Sequence, residues 1–220
     1  MTRIKCCGMT RVEDALLAAR LGADAIGLVF TARSRRQIAP AQARAIVEAL
    51  PPFVSTVALF MDDEARWVDD VIRQVQPDLL QFHGEEDDAW CAQFGRPFLK
   101  AVAMGAGTTA LSRLGDFPRA CGLLLDGHAP GEAGGGGKVF DWSLLPAGPE
   151  RPLILAGGLH AGNVGEAVRR LRPWAVDVAS GVEAAPGIKD ATKLADFVRA
   201  VRAADAWLAG TDDDGSKSAR

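Results

Sequence analysis

Eight times along this 220-residue chain a short apolar run ends in a turn and gives way to a helical pattern. The runs fall at residues 3–7, 25–30, 55–60, 79–82, 98–103, 120–125, 153–156 and 175–179. Strands that alternate with helices across turns of a few residues belong in a parallel sheet, because parallel neighbours need a crossover between them. Eight such units favour closure into a barrel. An open doubly wound sheet seldom needs eight repeats and often carries a glycine fingerprint after its first strand, where this chain has only Gly8. The expected fold is therefore a single-domain (β/α)8 TIM barrel over residues 1–208. A disordered polar tail at 209–220 is expected to follow, since its last ten residues have no apolar anchor beyond one alanine.

Local signals refine the helices. Thr10-Arg11-Val12-Glu13 reads as a capping box opening the first helix, and Gly22 suits the left-handed position that stops it. Pro40 fits the first turn of the second helix, which should run to Leu50. Asp62 or Asp63 is the expected cap of a helix through Val75, residues 85–94 read as a short acidic helix, and Asn163 or a neighbour should cap a helix through Leu171.

Composition excludes several classes of function. A net charge of -3 offers no basic face for nucleic acid. No apolar run approaches the length that spans a bilayer. Met1-Thr2-Arg3-Ile4-Lys5 leads into a strand without an apolar signal core, which reads as an unprocessed, cytoplasmic start. Cysteines 6, 7, 91 and 121 show no Cys-x-x-Cys spacing, and the three histidines are scattered, so no metal site is expected. The chain has no tyrosine, so acid–base chemistry must come from other side chains.

Candidate chemistry sits at strand ends. Cys7 closes the first strand, at the barrel end where such folds keep their active sites. Most strand cysteines are buried small hydrophobes. Here strand alternation separates the pair, turning Cys7 toward the barrel mouth and Cys6 toward the helices. A thiol of ordinary pKa, about 8.5, needs nearby positive charge to act as a base at neutrality, and Lys5 lies on the same face. Asp126 follows Leu123-Leu124-Leu125 and is either a turn cap or an acid at the mouth. Gly134 to Gly137 precede Lys138, but Glu132 and Val139 stand where a Walker loop needs glycine and a hydroxyl, which leaves a flexible loop or lid. Gly157-Gly158 after the seventh strand and Ser180-Gly181 after the eighth match the place where barrels bind phosphate on backbone N–H groups. Strands six, seven, eight and one are neighbours in a closed barrel. Cys7 and Asp126 would then flank the phosphate site as base and acid, which suits a proton-shifting isomerase.

These motifs, in this order, resemble the phosphoribosylanthranilate isomerase family of tryptophan biosynthesis over the chain up to about Leu208. Lys5-Cys6-Cys7-Gly8-Met9-Thr10 is similar to the family's Lys-Ile-Cys-Gly-Ile/Leu-Thr. Gln81-Phe82-His83-Gly84 resembles its Gln-Leu-His-Gly. Leu125-Asp126 and Gly134 through Trp142 resemble its Leu-Asp and Gly-Gly-Thr-Gly-Lys-Thr-Phe-Asp-Trp. Ala156 to Leu159, Ser180 to Glu183 and Pro186 to Asp190 complete the set.

The resemblance implies an Amadori rearrangement of N-(5-phosphoribosyl)anthranilate without metal or organic cofactor. Asp126 would be the general acid and Cys7 the general base. Arg36 would bind the anthranilate carboxylate, although the neighbouring Arg35 leaves open which arginine does so. Gln81, His83 and Gly137 are expected substrate contacts, with a structural role for His83 as the alternative. Gly157, Gly158, Ser180 and Gly181 would hold the phosphate. Asp177 is either a ligand contact or the interior partner of Lys5. The expected partner is the small phosphosugar alone, with no nucleic acid or membrane, and the protein would be a monomer or homodimer. Four departures from the family pattern are Cys6 for isoleucine, Arg35 for proline, and Gly136 and Val139 for threonines. None falls on Cys7 or Asp126.

Overall fold

A computed structural model describes residues 1–106, 109–127, 142 and 151–215 of the chain. Its strands are β1 (Arg3–Cys6), β2 (Ala25–Val29), β3 (Ser55–Phe60), β4 (Leu79–Phe82), β5 (Phe98–Ala103), β6 (Gly122–Asp126), β7 (Leu153–Leu155) and β8 (Ala175–Val178). Each pairs in parallel with its sequence neighbours, and β8 pairs with β1 to close the expected eight-stranded barrel. Helices α1 (Val12–Leu21), α2 (Pro40–Ala49), α3 (Ala65–Val75), α4 (Asp88–Ala92), α5 (Thr109–Ser112), α6 (Val164–Leu171) and α7 (Ala191–Gly215) lie in the connections and after the last strand. A two-stranded antiparallel hairpin, β9 (Glu183–Ala185) and β10 (Ile188–Lys189), follows β8.

Strands in such a barrel are buried on both faces, which is why they read as continuous apolar runs. Alternate residues face inward. Val57, Leu99, Leu124, Ile154 and Ala175 pack inside the barrel, whereas Ile4, Cys6, Ile26, Leu28, Phe60 and Val176 join the larger layer that includes helix residues such as Val68, Val71 and Phe197. Part of that outer layer is aromatic. Phe82 lies 6.1 Å from Phe60, 5.7 Å from Phe94 and 6.0 Å from Phe98 by ring centroids, with Trp90 edge-on at 5.3 Å.

Strands β3, β4 and β5 have the expected limits, and the others shift by one or two residues. Helix starts differ for a physical reason. The capping box at Thr10 does not form: Arg11 is the cap residue of α1 without a side-chain bond, and the Thr10 hydroxyl donates instead to the Gly187 carbonyl. Neither Asp62 nor Asp63 caps α3. Asp62 adopts a left-handed φ of 53° and accepts from the Glu85 N–H, while Asp63 accepts from the Met61 N–H. Both carboxylates tie loops at the barrel mouth together. Asn163 stands at the cap position of α6, but its side chain accepts from the His160 N–H and donates to the Gly158 carbonyl. The acidic helix is shorter than expected because Asp87 caps it late, accepting from the Trp90 N–H. The last helix continues beyond Leu208 to Gly215. The expected lid at 134–138 lies outside the described residues. Among the described residues no helix is long and apolar enough to cross a membrane.

The Phe82→Ala variant is expected to lose about 3–5 kcal/mol, the range for emptying a buried aromatic site, read as a lowered midpoint in chemical denaturation.

Candidate active site

The barrel mouth holds an open pocket lined by strand ends and the turns beyond them. Cys7, Asp126, Arg36, Gln81, His83, Asp177, Gly157, Gly158 and Ser180 all line it. The sequence therefore placed most of its candidates in one cavity, from the ends of six different strands. Gly137 lies outside the described residues, and Gly181 sits behind the lining rather than in it.

Local geometry explains each position. Cys7 is one residue past β1, where its N–H donates to the Val178 carbonyl at 2.8 Å. Its side chain packs with Val29, Leu59 and Ala179 at the top of the barrel. Opposite it, Gly27 of β2 leaves the room the sulfur needs, since a Cβ there would lie 2.7 Å from Sγ. That glycine was not singled out from the sequence, and only the pairing of β1 with β2 exposes its role.

Lys5 and Asp177 are direct partners in the β1–β8 ladder, and their side chains meet inside the barrel at 2.9 Å. Asp177 is thus the interior partner of Lys5 and also a pocket wall. Burial opposes the Lys5 charge, but Asp177 and the Cys7 sulfur outweigh it, so the ammonium is held above its ordinary pKa. Burial pushes the Cys7 thiol up, and the nearby Asp177 adds to this. Lys5, which hydrogen-bonds the sulfur, and Lys189 pull it back down. Cys6, on the helix side, is pushed up to about 12, chiefly by burial, and is an inert core thiol.

Across the mouth, Asp126 ends β6 at 5% exposure. His83 Nε2 approaches its Oδ2 at 3.5 Å. His83 in turn meets Gln81 Nε2 through Nδ1 at 3.2 Å, and among the described residues the buried Gln81 Oε1 has no hydrogen-bond partner. Arg36 is buried and lines the pocket, whereas Arg35 is exposed and does not.

Two turns complete the wall. Gly157 and Gly158 both adopt left-handed φ values, 79° and 64°, which glycine adopts without steric cost. Gly181 begins to matter one layer down: a Cβ on it would fall 1.9 Å from the Leu159 carbonyl oxygen. The two phosphate-loop candidates therefore touch each other, backbone against backbone. Among the described residues no three His, Cys, Asp or Glu side chains gather as a metal-ion site.

The family model for N-(5'-phosphoribosyl)anthranilate (PRA) isomerase matches residues 4–200. The chain belongs to the phosphoribosylanthranilate isomerase family. A Nitrosospira multiformis N-(5'-phosphoribosyl)anthranilate isomerase is 54% identical over 199 residues, covering 90% of this chain and 96% of the relative. The solved phosphoribosylanthranilate isomerase of Thermotoga maritima superposes with a TM-score of 0.85 at 40% identity, covering 92% of this chain and all of that one. A further solved isomerase, at 35% identity and TM-score 0.78, is in complex with reduced 1-(o-carboxyphenylamino)-1-deoxyribulose 5-phosphate; the match covers 92% of this chain and all of that one. The chain is accordingly an enzyme of tryptophan biosynthesis built on a TIM barrel.

Residues that reasoning from sequence left without a role include Glu183 and Lys189. Both are buried: Lys189 donates to the Cys7 carbonyl just past β1 and to the Glu183 carboxylate. Their signal was the Ser180–Glu183 and Pro186–Asp190 motif, whose partner lies 147 residues away in Arg36.

Gly181→Ala should force the two turns apart. The expected outcome is a fall of about tenfold or more in kcat/KM, in line with the cost of ångström-scale misplacement at a reacting site, with inorganic phosphate weakened as a competitive inhibitor.

Proposed function

We propose that Cys7 is the general base and Asp126 the general acid of the Amadori rearrangement of N-(5-phosphoribosyl)anthranilate. The observation that carries this reading is the shared pocket: a thiol from the end of β1 and a carboxyl from the end of β6 line one cavity, with the Gly157–Gly158 and Ser180 turns in the wall between them. The ligand in the solved relative is a carboxyphenylamino deoxyribulose phosphate. A ligand of that kind has three parts that correspond to features of this pocket.

Its phosphate goes to the turns after β7 and β8, on backbone N–H groups at Gly157, Gly158, Ser180 and Gly181, as is common in TIM barrels. Its carboxylate goes to the Arg36 guanidinium, whose planar fork matches a carboxylate. Its sugar then spans the mouth between Cys7 and Asp126, with Gln81 and His83 along the β4 side.

Asp126 gives its proton to the furanose ring oxygen. The C1–O bond breaks, and the anthranilate nitrogen lone pair forms the C=N bond of a Schiff base. The Cys7 thiolate takes the proton from C2, and its electron pair moves toward the nitrogen to give an enolamine. The enolamine tautomerises to the ketone, so no electrons enter or leave. The substrate's own nitrogen is the electron sink.

The thiol must lose its proton to act, and burial disfavours the anion. Lys5 is the cation that offsets this from the barrel interior, tied in place by Asp177. The sign of the pH dependence follows: kcat/KM rises with pH through the thiol titration.

Anthranilate fluorescence reports turnover directly. With freshly made phosphoribosylanthranilate, Cys7→Ser and Asp126→Asn are each expected to slow turnover at least about a hundredfold, the scale of acid–base residues. Unchanged turnover in either variant removes that residue from its role. Lys5→Met, which withdraws the interior cation, should move the acidic limb of the kcat/KM profile to higher pH. A limb that stays put or moves down would show that Lys5 does not support the thiolate.

A further inference from the structure

The hairpin after β8 turns back over the end of β1 and brings two buried charges to Arg36. Glu183 is 7% exposed and Lys189 5%. The Glu183 carboxylate accepts from Arg36 Nε at 2.8 Å and NH2 at 2.7 Å, a two-pronged pair, and from the Gly187 N–H at 3.1 Å. Lys189 Nζ donates to the same carboxylate at 3.0 Å, to the Cys7 carbonyl at 2.7 Å and to the Ala179 carbonyl at 3.2 Å. Three acceptors are all that an ammonium can serve. Burial opposes the Glu183 charge, yet the hydrogen bonds from Arg36 and Lys189 hold its carboxyl below the ordinary range.

A guanidinium has two forks. Nε–H with one NH2 hydrogen makes the first, and NH1 with the other NH2 hydrogen makes the second. Glu183 fills the first fork. Among the described residues nothing fills the second, and Arg36 lines the pocket. The shaft of Arg36 passes so close to Gly8 that a Cβ there would lie 2.3 Å from Cδ. The side chain is thus fixed at its stem and along one edge.

Charge decides what the remaining edge can attract. An arginine paired with one glutamate is neutral overall and draws an anion weakly. Two cations sharing one carboxylate keep a single positive charge, and burial leaves that charge poorly screened.

We propose that Glu183 and Lys189 are positioning residues that prepare Arg36 for an aromatic carboxylate: Glu183 holds one fork and so aims the other, while Lys189 restores the positive charge that Glu183 cancels. The proposal rests on the assignment of the substrate carboxylate to Arg36. It gives the Ser180–Glu183 and Pro186–Asp190 motif a part in substrate selection, apart from the phosphate turn at its start. It also ties the arm that recognises the ring to the backbone of the base, through the Lys189 bond to the Cys7 carbonyl.

The test compares kcat/KM for N-(5-phosphoribosyl)anthranilate with that for N-(5-phosphoribosyl)aniline, which lacks the carboxylate. Arg36→Met should collapse the ratio. If it does not, the assignment of Arg36 fails, and the proposal falls with it. Lys189→Gln keeps a donor for Glu183 and the Cys7 carbonyl but removes the charge. It should lower the ratio about tenfold, through KM for the carboxylated substrate, with kcat changed less than about threefold. The double variant Glu183→Gln, Lys189→Gln returns the cluster to one positive charge and should recover part of the ratio. A purely structural role predicts that the double variant is worse than the single. A ratio that survives Lys189→Gln while Arg36→Met abolishes it, or a double variant no better than the single, overturns the proposal. Should Lys189→Gln fail to fold, Glu183→Asp keeps every charge and withdraws the fork by one methylene. It should lower the ratio by about tenfold as the arm loses its aim, and an unchanged ratio there also overturns the proposal.

Discussion

Pairing of β1 with β8 closes the barrel, and the chemistry at its mouth depends on that one register. Lys5 lies opposite Asp177, so the interior ion pair forms between ladder neighbours. Cys7, two residues on, donates its N–H to Val178 and turns its sulfur into the mouth. A slip of one residue would turn Cys6 inward and bury Cys7 among the helices, because side chains alternate along a strand. The ladder is therefore the device that chooses between two adjacent thiols. The rejected one is a core atom pushed up to about 12, chiefly by burial, and the chosen one borders a cavity.

A second consequence of closure is that distant segments become neighbours without long loops. Asp126 on β6 reaches the mouth through two intervening strands, whose turns lie in the wall between it and Cys7. Arg36 crosses from the loop after β2 to meet Glu183 after β8, passing over Gly8. Salt bridges buried this way are costly to form, since each ion leaves water, and their geometry must be good to compensate. Here a two-pronged arginine, a saturated ammonium and a backbone N–H all converge on one carboxylate. Such a cluster holds the hairpin down as firmly as it holds the arginine out.

Much of this was legible from sequence because it depends on local pattern. Short apolar runs bounded by turn residues located the strands closely, and β3, β4 and β5 had the limits expected for them. Strand-end residues could be assigned to the mouth because every strand of a parallel barrel points the same way. What local pattern does not carry is the competition for polar groups. Thr10, Asp62, Asp63 and Asn163 all look like helix caps, and each instead spends its side chain on a loop or on the hairpin. The Thr10 and Asp62 bonds span 177 and 23 residues and form only once the barrel has closed, whereas those of Asp63 and Asn163 are local loop bonds across 2 and 3 residues. The pairing of Arg36 with Glu183 was illegible for the same reason, and so was what separates Arg36 from Arg35, namely burial and a place in the pocket wall.

Gly27 carries a different lesson. It has no functional group and does not line the pocket, yet the sulfur of Cys7 occupies the volume that any other residue there would fill. The seat of the Cys7 thiol is thus an imprint left in the neighbouring strand, defined by an atom that is missing. Tolerance to mutation at this mouth need not follow chemical reactivity. A position with nothing to contribute but empty space can be as constrained as the thiol that uses it.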